Sequence, residues 1–463
     1  MKKNIISRFT ALTLGALTAI TTITSLTGCQ SASDAAKTEK PVSQEMQETA
    51  SQNVVWEKNL LDPANPVKVK FYSYSYSSAA FGTGFQTLMD NFNNGVGKDK
   101  GVILEIVADD SGTKAGTDIK AGLQVDMIQS SFRSLDGDVS DLGLKAYADV
   151  FPAEEMEAHF EGIPDNCLDL GKINEDMYGL AFTFSTPMLY VNSNLLKEAG
   201  IDPSVAPKDW DEMYEWSQTI KEKTGKYGLS LSPTNSNGWV TDSIFYSAGA
   251  TVLNADRTAV EFASDAGVKA IESWKRFYHD GCAIGGSDME AMQAFASGEA
   301  AMHIQSTSVY SSMKAAAKQG GWELTGYPMP GFDGNPSVPT NSGSCIVVRP
   351  DNEQKAQAIW EVIKYVTGKE GYTIITSQIG YLPLRPELAD DPEYLKNFVD
   401  ENPMIRANIE RLQDIVPTAI WPGKNAAQLE TLYADMAIKA LTTEADVAET
   451  LKEYQDEMNQ YIK

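Results

Sequence analysis

Between Val67 and Phe71, apolar and polar side chains alternate, the two-residue period of a strand with one buried face. Phe85, Leu88, Met89 and Phe92 then recur at three- and four-residue spacing, which predicts a helix. Residues 102–107 are apolar nearly throughout, as in a strand covered on both faces, and Val125-Asp126-Met127-Ile128 predicts a third strand. Strand, helix, strand, helix is the order of a parallel α/β layer. Two later helical stripes are clearer. Trp210, Met213, Tyr214 and Ile220 follow Pro207 and stop before Gly225, while Ala356, Ile359, Trp360, Ile363 and Val366 stop at Gly368. Tryptophans on such stripes read as core. No repeat of fixed period occurs and no long linker divides the folded part, so two lobes would be joined by several short crossings.

The start of the chain has a different pattern. Lys2, Lys3 and Arg8 precede an uncharged stretch, residues 9–27, in the order of a secretory signal peptide. Seven threonines and a small-residue ending argue against a permanent membrane span. Leu26-Thr27-Gly28-Cys29 resembles the lipobox of bacterial lipoproteins, in which Cys29 would be the lipidation site. Cleavage there leaves 35 basic against 63 acidic side chains, a net charge of −28. Such a body would not adhere to an anionic leaflet, so the lipid must anchor it. The polar stretch up to Asn53 reads as a flexible tether.

Composition narrows the function classes. A 42% hydrophobic content over 463 residues supports large cores and two to three domains of roughly 150 residues. The acidic balance, with no basic stripe, excludes nucleic acid as a partner. His159, His279 and His303 lie far apart, without ligand spacing, so no metal and no cofactor is expected. Cys167, Cys282 and Cys345 match no metal motif and read as buried thiols, one disulfide being the alternative.

The middle of the chain resembles a known family. Residues 177–182 (Met-Tyr-Gly-Leu-Ala-Phe), 185–192 (Ser-Thr-Pro-Met-Leu-Tyr-Val-Asn) and 195–201 are similar to family 1 of the extracellular solute-binding proteins, lipoproteins that feed ABC sugar importers. Pro207, Trp210 and Glu212 match its next helix start. Ala294-Phe295 with residues 297–302 matches its Phe-x-x-Gly-x-Ala-Ala-Met segment. Residues 355–366 followed by Gly380-Tyr381-Leu382-Pro383 match its closing block. The likeness runs from about residue 66 to the end. It implies an α/β, two-lobed periplasmic-binding-protein-like fold of type II, with a hinge of two to three crossings near residues 185–190, 341–344 and 380–385. The chain would divide into signal peptide 1–28, tether 29–55, N-terminal lobe 56–185 plus 343–380, and C-terminal lobe 186–342 plus 381–463. A monomer that traps a carbohydrate and delivers it to ABC permease subunits at the outer face of the cell membrane is the implied function.

Candidate contacts come from two sources. Ligands in open α/β sheets sit at the carboxyl ends of strands. That points to Tyr74 and Tyr76, Asp109 with Asp110, and Gln129 to Ser131. The Tyr-Ser alternation at 72–76 also fits a continued strand face, and the aspartates also fit solvated loop charges. The resemblance adds Ser185, Thr186, Ser306, Thr307, Ser342, Gly343 and Tyr381, whose hydroxyl and backbone groups suit a polyhydroxylated solute. A related subfamily that binds glycerol 3-phosphate carries a phosphate-contacting arginine where this chain reads Thr418-Ala419-Ile420-Trp421-Pro422-Gly423. An indole at Trp421 would stack on a sugar ring and cannot neutralise phosphate. Arg385, Arg406 or Arg133 could still supply that charge, so glycerol 3-phosphate or a glycerophosphodiester is the alternative ligand. Trp239 is a second stacking candidate or a core residue.

An enzyme is the weaker reading. Ser311-x-x-Lys314 and Lys223-Thr224-Gly225 match two penicillin-binding motifs in reversed order, and no Gly-x-Ser-x-Gly elbow occurs. A two-carboxylate glycosidase is a remote alternative, since 63 acids supply many pairs but none in a matched position. Residues 136–141 hint at a calcium loop but lack its glycine and terminal acid, and read as a turn.

Overall fold

In a computed structural model, which describes residues 54–78 and 80–462, the alternating run forms β1 (Val67–Ser73), with Val69 and Phe71 facing the interior. Cys29, the signal segment and nearly all of the tether lie outside these residues. The second run forms β2 (Val102–Ala108) and the third forms β3 (Met127–Ser131). The third strand starts two residues later than expected because the Asp126 carboxylate is drawn inward to the Lys70 amide at 2.8 Å. A short hairpin, β4 (Lys172–Ile173) and β5 (Asp176–Met177), precedes β6 (Gly179–Ser185) and β7 (Pro187–Asn192). Then come β8 (Tyr227–Ser230), β9 (Ala283–Ile284), β10 (Ala300–Ser306), β11 (Leu324–Pro328) and β12 (Ser342–Val348).

These strands build two five-stranded sheets, ordered β2-β1-β3-β12-β6 and β11-β7-β10-β8-β9. In the first, β1 runs parallel to β2 and β3, and β12 returns antiparallel between β3 and β6. In the second, β10 pairs parallel with β8 and antiparallel with β7. Both β6 and β10 are buried throughout, as expected for strands covered on both faces. Phe71, Phe85, Phe182 and Trp360 belong to the first core, and Trp210 and Trp274, with ring centroids 5.7 Å apart, to the second.

The helical stripes form as their periodicity predicts. The helix Trp210–Thr224 starts at Asp209, whose carboxylate accepts the Asp211 and Glu212 amides at 3.1 Å each, and ends at Gly225 in the left-handed region, φ 71°. The helix Glu353–Val366 starts at Asn352, whose side-chain oxygen accepts the Lys355 amide at 2.9 Å. Residues 136–141, expected as a turn, lie within the helix Leu135–Leu142. Asp136 and Asp138 stand in its first turn, where acids favour the helix dipole. All three described cysteines are free and buried, and burial raises each thiol pKa. Among the described residues, no helix is long and apolar enough to cross a membrane.

The chain passes between the sheets at Thr186, which joins β6 to β7, and again between β11 and β12. The stretch at 380–385, expected as a third crossing, stays with the first sheet. The Leu382 amide donates to Phe184 O at 2.9 Å, and Leu382, Leu384, Leu388 and Leu395 sit in the first core. The helix Pro403–Glu410 leans on β11, Val416 bridges to Thr340, and Trp421 lies in the second core. The third passage therefore falls near residues 415–421.

Candidate functional site

The carboxyl ends of β1 and β3 face the second lobe across a cavity of about 190 Å³. Tyr74, Ser131 and Arg133 line it from the first lobe, and Trp239 and Thr418 from the second. Asn341, Ser342 and Gly343, where the chain crosses, and Tyr381 of the first lobe complete its lining. Gly343 has φ 108°, and a Cβ there would lie 2.0 Å from Thr183 O, so only glycine fits. Tyr381 packs on Phe81 with ring centroids 5.6 Å apart, and burial pushes its hydroxyl up to about 12. Two larger cavities adjoin. One of about 420 Å³ shares Tyr74 and Ser131, and one of about 590 Å³ shares Thr418.

Beneath the cavity lies a closed polar network. Gln129 Oε1 accepts the Ser73 hydroxyl at 2.6 Å, and its Nε2 is 2.9–3.0 Å from the hydroxyls of Ser75, Thr183 and Ser344. This ties together β1, β3, β6 and β12, so Gln129 has no capacity left for a solute. Asp109 is likewise committed: its two carboxylate oxygens accept the amides of Lys114 and Ala115 at 2.8 and 2.9 Å. Tyr76 donates to Gln86 Oε1 at 2.7 Å and lies off the cavity. The Ser306 hydroxyl donates to Ser185 Oγ at 2.7 Å, the Thr307 amide donates to Thr186 O at 3.1 Å, and Thr186 Oγ1 lies 3.4 Å from Asn408 Oδ1. These four residues join the ends of β6 and β10 rather than face the cavity.

Two residues that line the cavity carry buried donors with no partner among the described residues. Asn341 is fully buried; its Oδ1 accepts the Thr418 amide at 2.8 Å, while its Nδ2 has no partner. Trp239 is 3% exposed, and its Nε1 also lacks a partner. A buried donor without an acceptor is costly, which marks a place where an incoming oxygen would be stabilised. Beside them Arg133 crosses from the first lobe. Its Nη1 donates to Ala419 O at 2.7 Å and lies 3.5 Å from Asp242, and its Nε lies 3.7 Å from Glu430. Burial opposes the Arg133 charge, but the two carboxylates outweigh it and hold its pKa above the ordinary value. Burial raises the Glu430 carboxyl.

Three expected contacts have other work. Arg385 is buried in the first lobe, where it donates to the carbonyls of Glu161 at 2.6 Å, His159, and Thr367 at 3.4 Å. Its guanidinium thus braces the chain and does not reach the cleft. Trp421 is 1% exposed, packs on Tyr433 with centroids 5.1 Å apart and donates from Nε1 to Glu430, so no ring face is open to a sugar. Arg406 pairs with Asp390 at 2.9 Å and Asp400 at 3.2 Å. Asn341, Asp242 and Glu430 escaped the sequence reading as site residues. A signal existed: Trp239, Asp242 and Tyr246 share one face of the helix Asn235–Ser247, as do Glu430 and Tyr433 on the helix Ala426–Thr442.

Residues 87–399 match the family described as bacterial extracellular solute-binding protein. Among relatives, the chain is 25% identical over 230 residues to the lactose-binding protein of Rhizobium radiobacter, covering 48% of this chain and 54% of that one. It is 25% identical over 263 residues to the sn-glycerol-3-phosphate-binding periplasmic protein UgpB of Brucella melitensis, covering 55% and 59%. The matched part thus spans little more than half the length of these relatives. Solved structures share the fold over more of the chain. The cyclic alpha-maltosyl-1,6-maltose binding protein of Arthrobacter globiformis superposes with TM-score 0.75 at 19% identity, over 86% of this chain and 99% of that one. UgpB of Mycobacterium tuberculosis in complex with glycerophosphocholine superposes with TM-score 0.70 at 19% identity, over 86% and 98%. With its family match covering more than half its length and its two-sheet architecture, the chain belongs to the bacterial extracellular solute-binding proteins.

Proposed function

We propose that this protein is an extracytoplasmic receptor, anchored through a lipid on Cys29, that captures a carbohydrate between its lobes and passes it unaltered to an ABC permease. The observation that carries this reading is an interlobe cavity lined by two residues with buried donors that have no partner among the described residues, Asn341 at Nδ2 and Trp239 at Nε1. Each suits a hydroxyl or ring oxygen. The flanking cavities, about 420 and 590 Å³, leave room for further units on either side, which suits an oligosaccharide. Solute contacting both lobes would stabilise the closed arrangement, and the closed arrangement is what a permease can distinguish from the empty one.

A glycerophosphodiester reading draws on one observation, the Arg133 guanidinium in the cavity wall. Titration calorimetry of the full chain against an oligosaccharide panel, sn-glycerol 3-phosphate and glycerophosphocholine separates the two. Chromatography of each compound after incubation tests the receptor reading itself: the solute is expected back intact, and turnover of any compound overturns it.

A further inference from the structure

We infer that Arg133, Asp242 and Glu430 form an interlobe ion triad that selects uncharged solutes and rejects phosphate anions; the inference rests on the cleft being the solute site. Arg133 sits on the short turn Phe132–Ser134 after β3, and both carboxylates come from second-lobe helices. Asp242 is fully buried and accepts from the Thr418 hydroxyl at 2.6 Å, the Ala419 amide at 2.9 Å and the Tyr433 hydroxyl at 2.8 Å. It is fixed in place, and Arg133 is the cation beside it. The rings of Trp421 and Tyr433, with centroids 5.6 and 5.7 Å from the guanidinium carbon, hold the guanidinium over these acids. A phosphate that recruited Arg133 would have to draw it off a buried carboxylate, and an uncompensated buried charge is strongly unfavourable.

The rest of the cleft repeats the bias. Arg257 in the larger flanking cavity is 2.6 Å from Asp136, and Lys172 is 2.6 Å from Asp169. Among the described residues, the other flanking cavity is lined by Asp109, Asp110 and Asp138 and by no lysine or arginine. An anion therefore meets committed cations and surplus carboxylates in a partly desolvated groove. A polyol meets two waiting donors and several acceptors.

The test is calorimetry with sn-glycerol 3-phosphate and, separately, maltotriose, on the wild-type full chain and on Glu430→Gln, which keeps an acceptor for Trp421. Wild type is expected to show a Kd for the phosphate weaker than about 1 mM, and Glu430→Gln to bind it at least ~10-fold more tightly. Asp242→Asn serves as a second variant should Glu430→Gln not fold. Wild-type binding of the phosphate below about 10 μM, or no gain in a folded variant, overturns the inference. If maltotriose binds wild type while the variants gain no phosphate affinity, the triad inference fails and the receptor reading stands. If wild type takes the phosphate and no neutral sugar, both fail.

Discussion

Arg257 of the second lobe places Nη2 2.6 Å from Oδ2 of Asp136 in the first, with both side chains less than one-fifth exposed. Arg257 also donates to Ile420 O at 3.0 Å and adopts φ 56°, a left-handed backbone that a non-glycine residue holds only when its surroundings demand it. A contact between lobes exists only when they are together, so its energy enters solute affinity rather than the stability of either core. Asp136→Asn is expected to raise the Kd of the bound solute ~5-fold, about 1 kcal/mol, with the urea midpoint nearly unchanged. Calorimetry and urea titration together check this, and an unchanged Kd would mean that the pair does not report closure.

Trp239→Phe separates ligand bonding from packing. The substitution keeps an aromatic ring in the second core and removes a buried N–H that has no partner among the described residues. Stability should fall by about 1 kcal/mol, the cost of a smaller ring in the second core offset in part by loss of an unsatisfied donor. Affinity for the solute should fall by about 1 kcal/mol, roughly 5-fold, because the bond that the solute would have made is gone. Equal affinity in wild type and variant would place the solute away from Nε1.

For Trp421 the structure reverses the expectation read from sequence. Its indole is enclosed by Tyr433, Arg133 and Glu430, so Trp421→Ala opens a cavity in the second core. The expected cost is about 3–5 kcal/mol in unfolding free energy, with solute affinity changed only through the loosened Arg133. Urea denaturation with calorimetry on the same sample checks it. A large loss of sugar affinity with unchanged unfolding would put the ring at the solute after all.

The contrast between Trp239 and Trp421 shows what the sequence could tell. Period-two and period-3.6 patterns place β1, β2 and the helices because those signals are local, set by which face of an element meets the core. Likewise the run Ser342-Gly343-Ser344 flags a crossing where backbones approach closely, and Gly343 does so. Whether a given tryptophan or arginine reaches the cleft is not local. Arg385 is spent on carbonyls of residues 159, 161 and 367, contacts that exist only once the first lobe is assembled. The unmet donors of Asn341 and Trp239 were illegible for the same reason: satisfaction is a property of the surroundings, and no single segment encodes it.

One buried and one half-buried histidine give the protein a defined acid sensitivity. His303, on β10, is 1% exposed, with Nδ1 2.9 Å from Ser230 Oγ and 3.0 Å from Ser230 O, while Nε2 has no partner. Charging the ring would bury a second N–H with no acceptor, and burial lowers its pKa to about 4. His159 is lowered to about 3, first by burial and then by the nearby charges of Arg385 and Lys364. In the unfolded chain both titrate near 6.5, so on acidification the unfolded state takes up protons that the native state refuses. Stability is thus full above about pH 6.5 and is lost as pH falls towards 4, by roughly 2 kcal/mol per histidine between pH 6.5 and 5. His279 has the opposite sign, since its hydrogen bond to Asp280 raises its pKa, but it is exposed and adds little. Urea titrations at pH 7 and pH 5 measure the drop, and His303→Gln should remove about half of it whatever its effect at pH 7. An identical drop in wild type and variant would mean that His303 takes up its proton without unfolding.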